Sequence, residues 1–499
     1  MVTSSFEYFP GVPIFHSKDL VHWRQIGHVL DRPEQLNLDQ TPNSRGIYAP
    51  TIRYHNGIFY MITTFVVSKQ GARKNFYVTA EDPAGPWSNL IWLEGAPGID
   101  PSLFFDDDGK VYYTGNRKPP PSGQQYLKHN EIWLQELDLQ KKQLVGPTYS
   151  LWDGALKYAH AQEAPHLYKI NGWYYLMIAE GGTGHTHAVT IARSKTITGP
   201  YEMTEINPIL THRHLGKDFP IVNVGHADIV ETQNGDWWMV CLASRPYGGY
   251  YRNLGRETFL VPFVWEDGWP IVNKGKGMVE SEVEFPNLDE HKWPALPHTD
   301  SFESEKLDDS WNFLRTPRGG DFWSLSDRQG YLRLKAKKET IMEEENPAFI
   351  GRRQQHINFF AQTVMEFQPK TAYETAGLVL LQNHNYQFRV EILLDNQQTL
   401  IRLVRREAGR DQIVAEKTID GDKRIYFKVE AIGQDYSFFY TTEPFNWRIL
   451  ALNVDGRILS TDLAGGFVGT YIGMYCSGNG KESDNYADFD WFEYYGIEE

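Results

Sequence analysis

The sequence predicts an all-β protein, a five-bladed β-propeller with an incomplete first blade followed by a β-sandwich. Three observations predict it. Four hairpins of one pattern recur in the first half of the chain, at the spacing of propeller blades. A second strand pattern follows each hairpin and occurs once more than the hairpins do. Beyond about Asn273 the repeat gives way to short alternating strands and regular turns, the pattern of an antiparallel sandwich. No segment has the 3.6-residue period of a long amphipathic helix.

The hairpins are GIYAPTIRYHNGIFYMITT, GIDPSLFFDDDGKVYYTG, AQEAPHLYKINGWYYLMIA and VGHADIVETQNGDWWMVCLA. Each turns on Asn-Gly or Asp-Gly, the dipeptides favoured in two-residue hairpin loops. The run Asp106-Asp107-Asp108 is accordingly a turn closed by Gly109, more economically than a calcium loop. Eight residues before the turn Asn or Asp stand Tyr48, Asp100, Glu163 and His226, so the units lie 52, 63 and 63 residues apart. Inner strands of successive blades face a common axis, so these four side chains should converge.

The outer strands read as VPIFHSKDLVHWRQI, FYVTAEDPAGPWSNL, EIWLQELDLQKKQL, VTIARSKTITGPYEM and ETFLVPFVWEDGWPIV. Five outer halves against four hairpins leave the first inner hairpin unaccounted for. VTSSF at the start resembles the tail of an inner strand, as MITTF is of the second. The missing axis-facing residue is expected ahead of Met1. The propeller is expected over 1–285, a Pro-rich and charged linker over 286–300, and the sandwich over 301–499.

The totals exclude several functions. A net charge of −15 without a basic stripe argues against nucleic acid as a partner. No apolar stretch approaches a membrane span. The two cysteines, Cys241 and Cys476, are far apart in sequence and read as free buried thiols, which fits a reducing, cytoplasmic setting. The totals leave a homo-oligomer open.

Asp100 and Glu163 form a carboxylate pair at equivalent positions of adjacent blades. Glycoside hydrolysis needs two such groups, one kept protonated by burial or a neighbouring charge. A lone acid at a strand start is usually an ordinary polar residue; the repetition favours chemistry here. His226 could hydrogen-bond a carboxylate, ligate an axial ion or simply fill the core. His185 and His187 lack a third ligand and read as ordinary residues. Arg256 could hold a sugar or a carboxylate, or make a structural salt bridge. Phe6 and Tyr48 could stack on a sugar face or belong to the core.

The runs SSFEYFPGVPIFHSKDLVHW, GIYAPTIRYHNGIFYMITT, GIDPSLFFDDDGKVYYTG and QEAPHLYKINGWYYLMIAEGG resemble glycoside hydrolase family 43, and most closely its two-domain β-xylosidases. The likeness extends to the ADFDWFEYYG ending. It implies a concanavalin- or lectin-like sandwich and an inverting, single-displacement reaction on a xylooligosaccharide or arabinoxylan-derived substrate, with no cofactor required. By the resemblance QEAPHLYK makes Glu163 the general acid, and GIDPSLFF makes Asp100 its pKa modulator. It also implies substrate contacts by Phe6, Arg256 and, through AGGFVGTYIGMY, Phe467. Tyr48 stands where the family usually has Trp. Some relatives hold Ca2+ on the axis near the residue matching His226. The family's general base is an aspartate in a Pro-Asp-Pro type motif, which this sequence lacks; it is expected in the unaccounted first hairpin, and turnover is expected to be impaired without it. Arabinofuranosidase activity and sugar binding without catalysis are the alternatives.

Overall fold

The computed structural model describes residues 1–67, 71–317, 322–420, 424–444 and 446–497. Each of the four Gly-turn hairpins forms, and each begins a sheet. The sheets run from Gly46 to Trp92, Ser102 to Trp152, Glu163 to Met203 and Val222 to Val272. Within each, neighbouring strands in sequence pair antiparallel, giving an up-and-down blade. The first of them carries its inner strand in two pieces, Gly46–Ile47 and Thr51–His55, both paired with Ile58–Val66. Tyr48 falls in the gap between the pieces. Inner strands of successive blades touch one another, Thr51–His55 with Ser102–Phe105 and Glu163–Ile170 with Val222–Glu231.

The structure shows four blades, three of four strands and one whose inner strand is split in two, and one smaller sheet. Gly11–Ser17 pairs only with Trp23–Leu30, in a sheet of two strands. Its other edge carries a single bridge, Val2 to Ile14, with Met1 and Phe15 exchanging backbone hydrogen bonds.

The second half is a sandwich of two eight-stranded antiparallel sheets. Its boundary does not follow the chain cleanly. Thr299–Asp300, inside the expected linker, joins the second sheet by pairing with Tyr486–Gly496. Tyr8–Phe9, far to the N-terminal side, pairs with Asn312–Leu314 at the edge of the first sheet. The largest apolar cluster accordingly runs from Phe9, Ile14 and Phe76 of the propeller half into Phe313, Leu378 and Phe489 of the sandwich. The only described helical turns are the 3-10 turn Gly456–Leu459 and the single turn Thr461–Ala464, which Ser460 caps through the Leu463 N–H.

Candidate active site

Asp100 lies two residues ahead of strand Ser102–Phe105, and Glu163 opens strand Glu163–Ile170. Adjacent blades therefore present them side by side at the same end of the barrel-like centre. Asp100 is buried, and Glu163 is half-buried. Burial raises both carboxyls above their ordinary range, and the Asp100 charge raises Glu163 further. The guanidinium groups of Arg256 and Arg73 oppose the rise in both. Neither carboxyl has a hydrogen-bond partner among the described residues, so each is free to meet a ligand. One proton held between two desolvated acids is the arrangement a general acid requires at neutral pH.

Arg256 follows the loop after Trp237–Ser244, one residue before strand Glu257–Glu266. No described carboxylate pairs with it, so the structural salt bridge is not found. Its guanidinium lies over two rings, 5.1 Å from the Phe6 centroid and 5.0 Å from that of Phe467. Burial lowers its pKa to about 10 against the pull of Asp100 and Glu163. Phe6, Tyr48 and Phe467 complete an aromatic cage: centroids are 5.6 Å apart for Phe6 and Tyr48, 5.8 Å for Phe6 and Phe467, and 6.3 Å for Tyr48 and Phe467.

Local backbone explains how these residues come together. Phe6 exchanges two backbone hydrogen bonds with Ile47. The chain can approach only because residue 46 is glycine, whose Cβ would stand 2.2 Å from the Phe6 carbonyl oxygen. Gly255 and Gly469 likewise pack backbone to backbone, 2.6 Å from a would-be Cβ to the Gly469 nitrogen, and bring Arg256 beneath Phe467. The Phe467 N–H donates to Ser44 Oγ at 3.0 Å. Upstream, Arg252 clasps Asp462 through Nη2 at 2.7 Å and its own backbone N–H at 2.8 Å. Phe6, Asp100 and His226 hold left-handed backbone, with φ of 50°, 54° and 48°. Such strain in non-glycine residues is uncommon and gathers at functional sites.

A cavity of about 640 Å³ is lined by Phe6, His226, Arg256 and Phe467 together with Asp228 and His166. Asp100, Glu163 and Tyr48 are not among its lining residues; Arg256 links it to the carboxyl pair.

The centre of the blades holds a polar cluster that sequence reasoning missed. Arg53 donates through Nη1 to Asp228 Oδ2 at 2.8 Å, and the Tyr168 hydroxyl donates to Asp228 Oδ1 at 2.6 Å. Arg53 Nη2 lies 3.0 Å from His166 Nδ1. Arg53 and His166 hold Asp228 well below the usual carboxylate range despite its burial. Burial keeps His166 and His226 neutral, His166 at about 4. His187, read as ordinary, is fully buried and shares its Nδ1 proton with the Asn223 carbonyl at 2.9 Å. Calcium on this axis does not fit. Among the described residues no group of three metal-binding side chains occurs, and the one carboxylate already faces a guanidinium among imidazoles, whereas Ca2+ takes six to eight oxygens. Asp106 serves its turn and also anchors Lys169 at 2.7 Å and the Tyr174 hydroxyl at 2.7 Å. Both cysteines are free and buried.

A propeller that sets two desolvated carboxyls beside an arginine held in an aromatic cage, one wall of it lent by a sandwich, has the makings of a glycosidase. The comparisons place it further. Residues 1–270 match glycosyl hydrolases family 43, and residues 299–495 match the beta xylosidase C-terminal concanavalin A-like domain. A xylosidase/arabinosidase of Butyrivibrio fibrisolvens is 48% identical over 99% of this chain and 94% of its own length. A non-reducing end alpha-L-arabinofuranosidase of Bacteroides ovatus is 40% identical over 99% of this chain and 90% of its own. The solved xylan beta-1,4-xylosidase from Bacillus halodurans superposes with a TM-score of 0.93 at 34% identity, covering 99% of this chain and 95% of that one. The chain belongs to glycosyl hydrolase family 43.

Proposed function

We propose that the protein releases xylose from the non-reducing end of β-1,4-xylooligosaccharides with inversion. Glu163 protonates the leaving oxygen, and Asp100 keeps that proton in place by its charge. Arg256 orients the sugar and balances the pair. Phe6, Tyr48 and Phe467 close on the ring, and His226 lines the floor. The observation that carries this reading is the desolvated Asp100–Glu163 pair, with no protein hydrogen bond of its own among the described residues and a guanidinium beside it. The α-L-arabinofuranosidase reading stands second, supported by the likeness to the Butyrivibrio xylosidase/arabinosidase and the Bacteroides arabinofuranosidase.

The two-stranded sheet Gly11–Leu30 reads as the outer half of a fifth blade, since its strands match the outer strands of the other four. Neither carboxylate lining the cavity is suited to the role of general base: Glu257 is held by Arg245. Asp228 is near, but it is bound by Arg53 and Tyr168 and holds its proton too weakly to act as a base. A reaction without that group loses a factor of roughly 10²–10⁴, so turnover is slow. Two buried free thiols support a reducing compartment.

The test is Glu163→Gln on two substrates. Loss of a general acid slows xylobiose by about 10²–10⁴ and an aryl β-xyloside with an activated phenol far less. Equal losses on both, or none, would sink the assignment. Parallel rates on aryl β-xyloside and aryl α-L-arabinofuranoside decide between the two sugars, and the anomer first formed, read by NMR, checks inversion.

A further inference from the structure

The outward face of the second sandwich sheet carries a feature the reaction does not use. An antiparallel sheet packed on one side ordinarily turns polar residues to water. Here register sets Val364 between Tyr426 and Trp491, and Gln362 between Lys428 and Glu493. The Tyr426 and Trp491 rings stand 6.4 Å apart and bury Val364 to 1% exposure. Trp447 reaches in from the loop before Arg448–Asp455, its ring 5.0 Å from the Lys428 ammonium. Together they border a groove of about 470 Å³, on the sandwich and lined by none of the cage residues.

The groove's charged groups are all engaged within it, in one ion pair and in hydrogen bonds to neutral groups. Lys428 Nζ donates to Glu430 Oε1 at 2.7 Å, the Gln362 amide donates to Glu493, and Thr299 Oγ1 donates to Glu493 Oε1 at 3.4 Å. Among the described residues, the Tyr426 hydroxyl and the indole N–H groups of Trp447 and Trp491 have no hydrogen-bond partner. A floor holding three charged side chains suits a protein partner poorly, because interface cores are depleted in charge. With one lysine against two carboxylates, it repels a polyanion. Flat rings flanking polar groups suit one chemistry: a neutral chain of sugar rings, its C–H faces on the aromatics and its hydroxyls on the unused donors and carboxylate oxygens.

We infer that this groove is a second, non-catalytic binding site for a xylan-type polysaccharide, which holds the enzyme on the polymer that yields its substrate. The inference rests on the glycosidase reading only for the choice of sugar.

The experiment uses the full chain, depleted from solution by insoluble arabinoxylan and retarded in gels holding soluble arabinoxylan. Trp447→Ala and Tyr426→Ser are compared with wild type. Each is expected to bind the polymer about tenfold more weakly, the scale of losing one buried aromatic contact, while aryl β-xyloside hydrolysis and the melting temperature stay unchanged. Wild-type retention in both variants overturns the site. So does a concentration-dependent dimer, seen by light scattering, that Trp447→Ala abolishes, since the occupant is then a second copy. If either variant melts early, Trp447→Phe, which keeps a ring, decides: retention restored supports stacking, and retention still lost refutes it. Polymer binding that needs Trp447 in a protein cleaving no glycoside refutes the proposed function and leaves this site standing.

Discussion

Asp100→Asn separates the two causes of Glu163's raised pKa. The change keeps shape and burial and removes one negative charge. Two effects push Glu163 up, burial first and the Asp100 charge second, and two arginines pull it down. In the variant burial and both arginines remain. Glu163 therefore ionises at lower pH than in the wild type but still above the ordinary glutamate range, since burial is the larger cause. A neighbouring charge at this range moves a carboxyl by about 1–2 units, worth about 1.4–2.7 kcal/mol at 1.36 kcal/mol per unit. The general acid works protonated, so activity falls as pH rises through its pKa. The alkaline limb of kcat/KM on an aryl β-xyloside, which reports the free enzyme, is thus expected to move to lower pH by about 1–2 units. The amplitude falls as well, but the limb's position does not depend on amplitude. A limb that stays in place or moves to higher pH would refute the pairing of these two residues.

Asp462→Ala cuts the clasp that holds the Phe467 loop to Arg252; loss of hydrogen bonds to a charged group, about 1.5–3 kcal/mol, should appear as KM raised roughly tenfold or more with kcat little changed. Steady-state kinetics check this, and a fall in kcat at constant KM counts against a positioning role. If the reaction runs without a general base, as proposed, added azide should accelerate the wild-type enzyme and give the α-xylosyl azide from a β-xyloside, because a small anion can stand in for the unactivated water. NMR of the products reads it, and absence of both effects means that a base is already at work.

Much of the fold was legible because its repeat is written in turn chemistry. Asn-Gly and Asp-Gly marked four hairpins, and counting back from them found Asp100, Glu163 and His226 on one end of the structure. The same alignment held more than was drawn from it. Arg53 and Tyr168 both stand three residues before their turn Asn, and the structure joins them on Asp228. They passed unnoticed because arginine and tyrosine on an inner strand look like surface and core residues until the facing blade is known. The clasp Arg252–Asp462 bridges residues 210 apart in sequence, and no local pattern reports such a contact. Tyr8–Phe9 escaped for a similar reason: two residues are too few to declare a strand, and their partner lies beyond Asp300. The blade count was legible only as far as complete sheets go: four stand in the structure, and the half-repeat at the start forms a sheet of two strands.

That short strand has a practical consequence. Tyr8–Phe9 lengthens a sandwich sheet, the neighbouring Glu7 carbonyl accepts from the Arg315 N–H at 2.8 Å, and Arg315 itself, wholly buried, donates to the Thr41 carbonyl at 2.7 Å. Front and back of the polypeptide are thus stitched together. A gene cut near codon 285 therefore frees no autonomous catalytic module; it strips a wall from the cage and bares an apolar seam. Anyone grafting this reaction centre onto another scaffold must carry both halves.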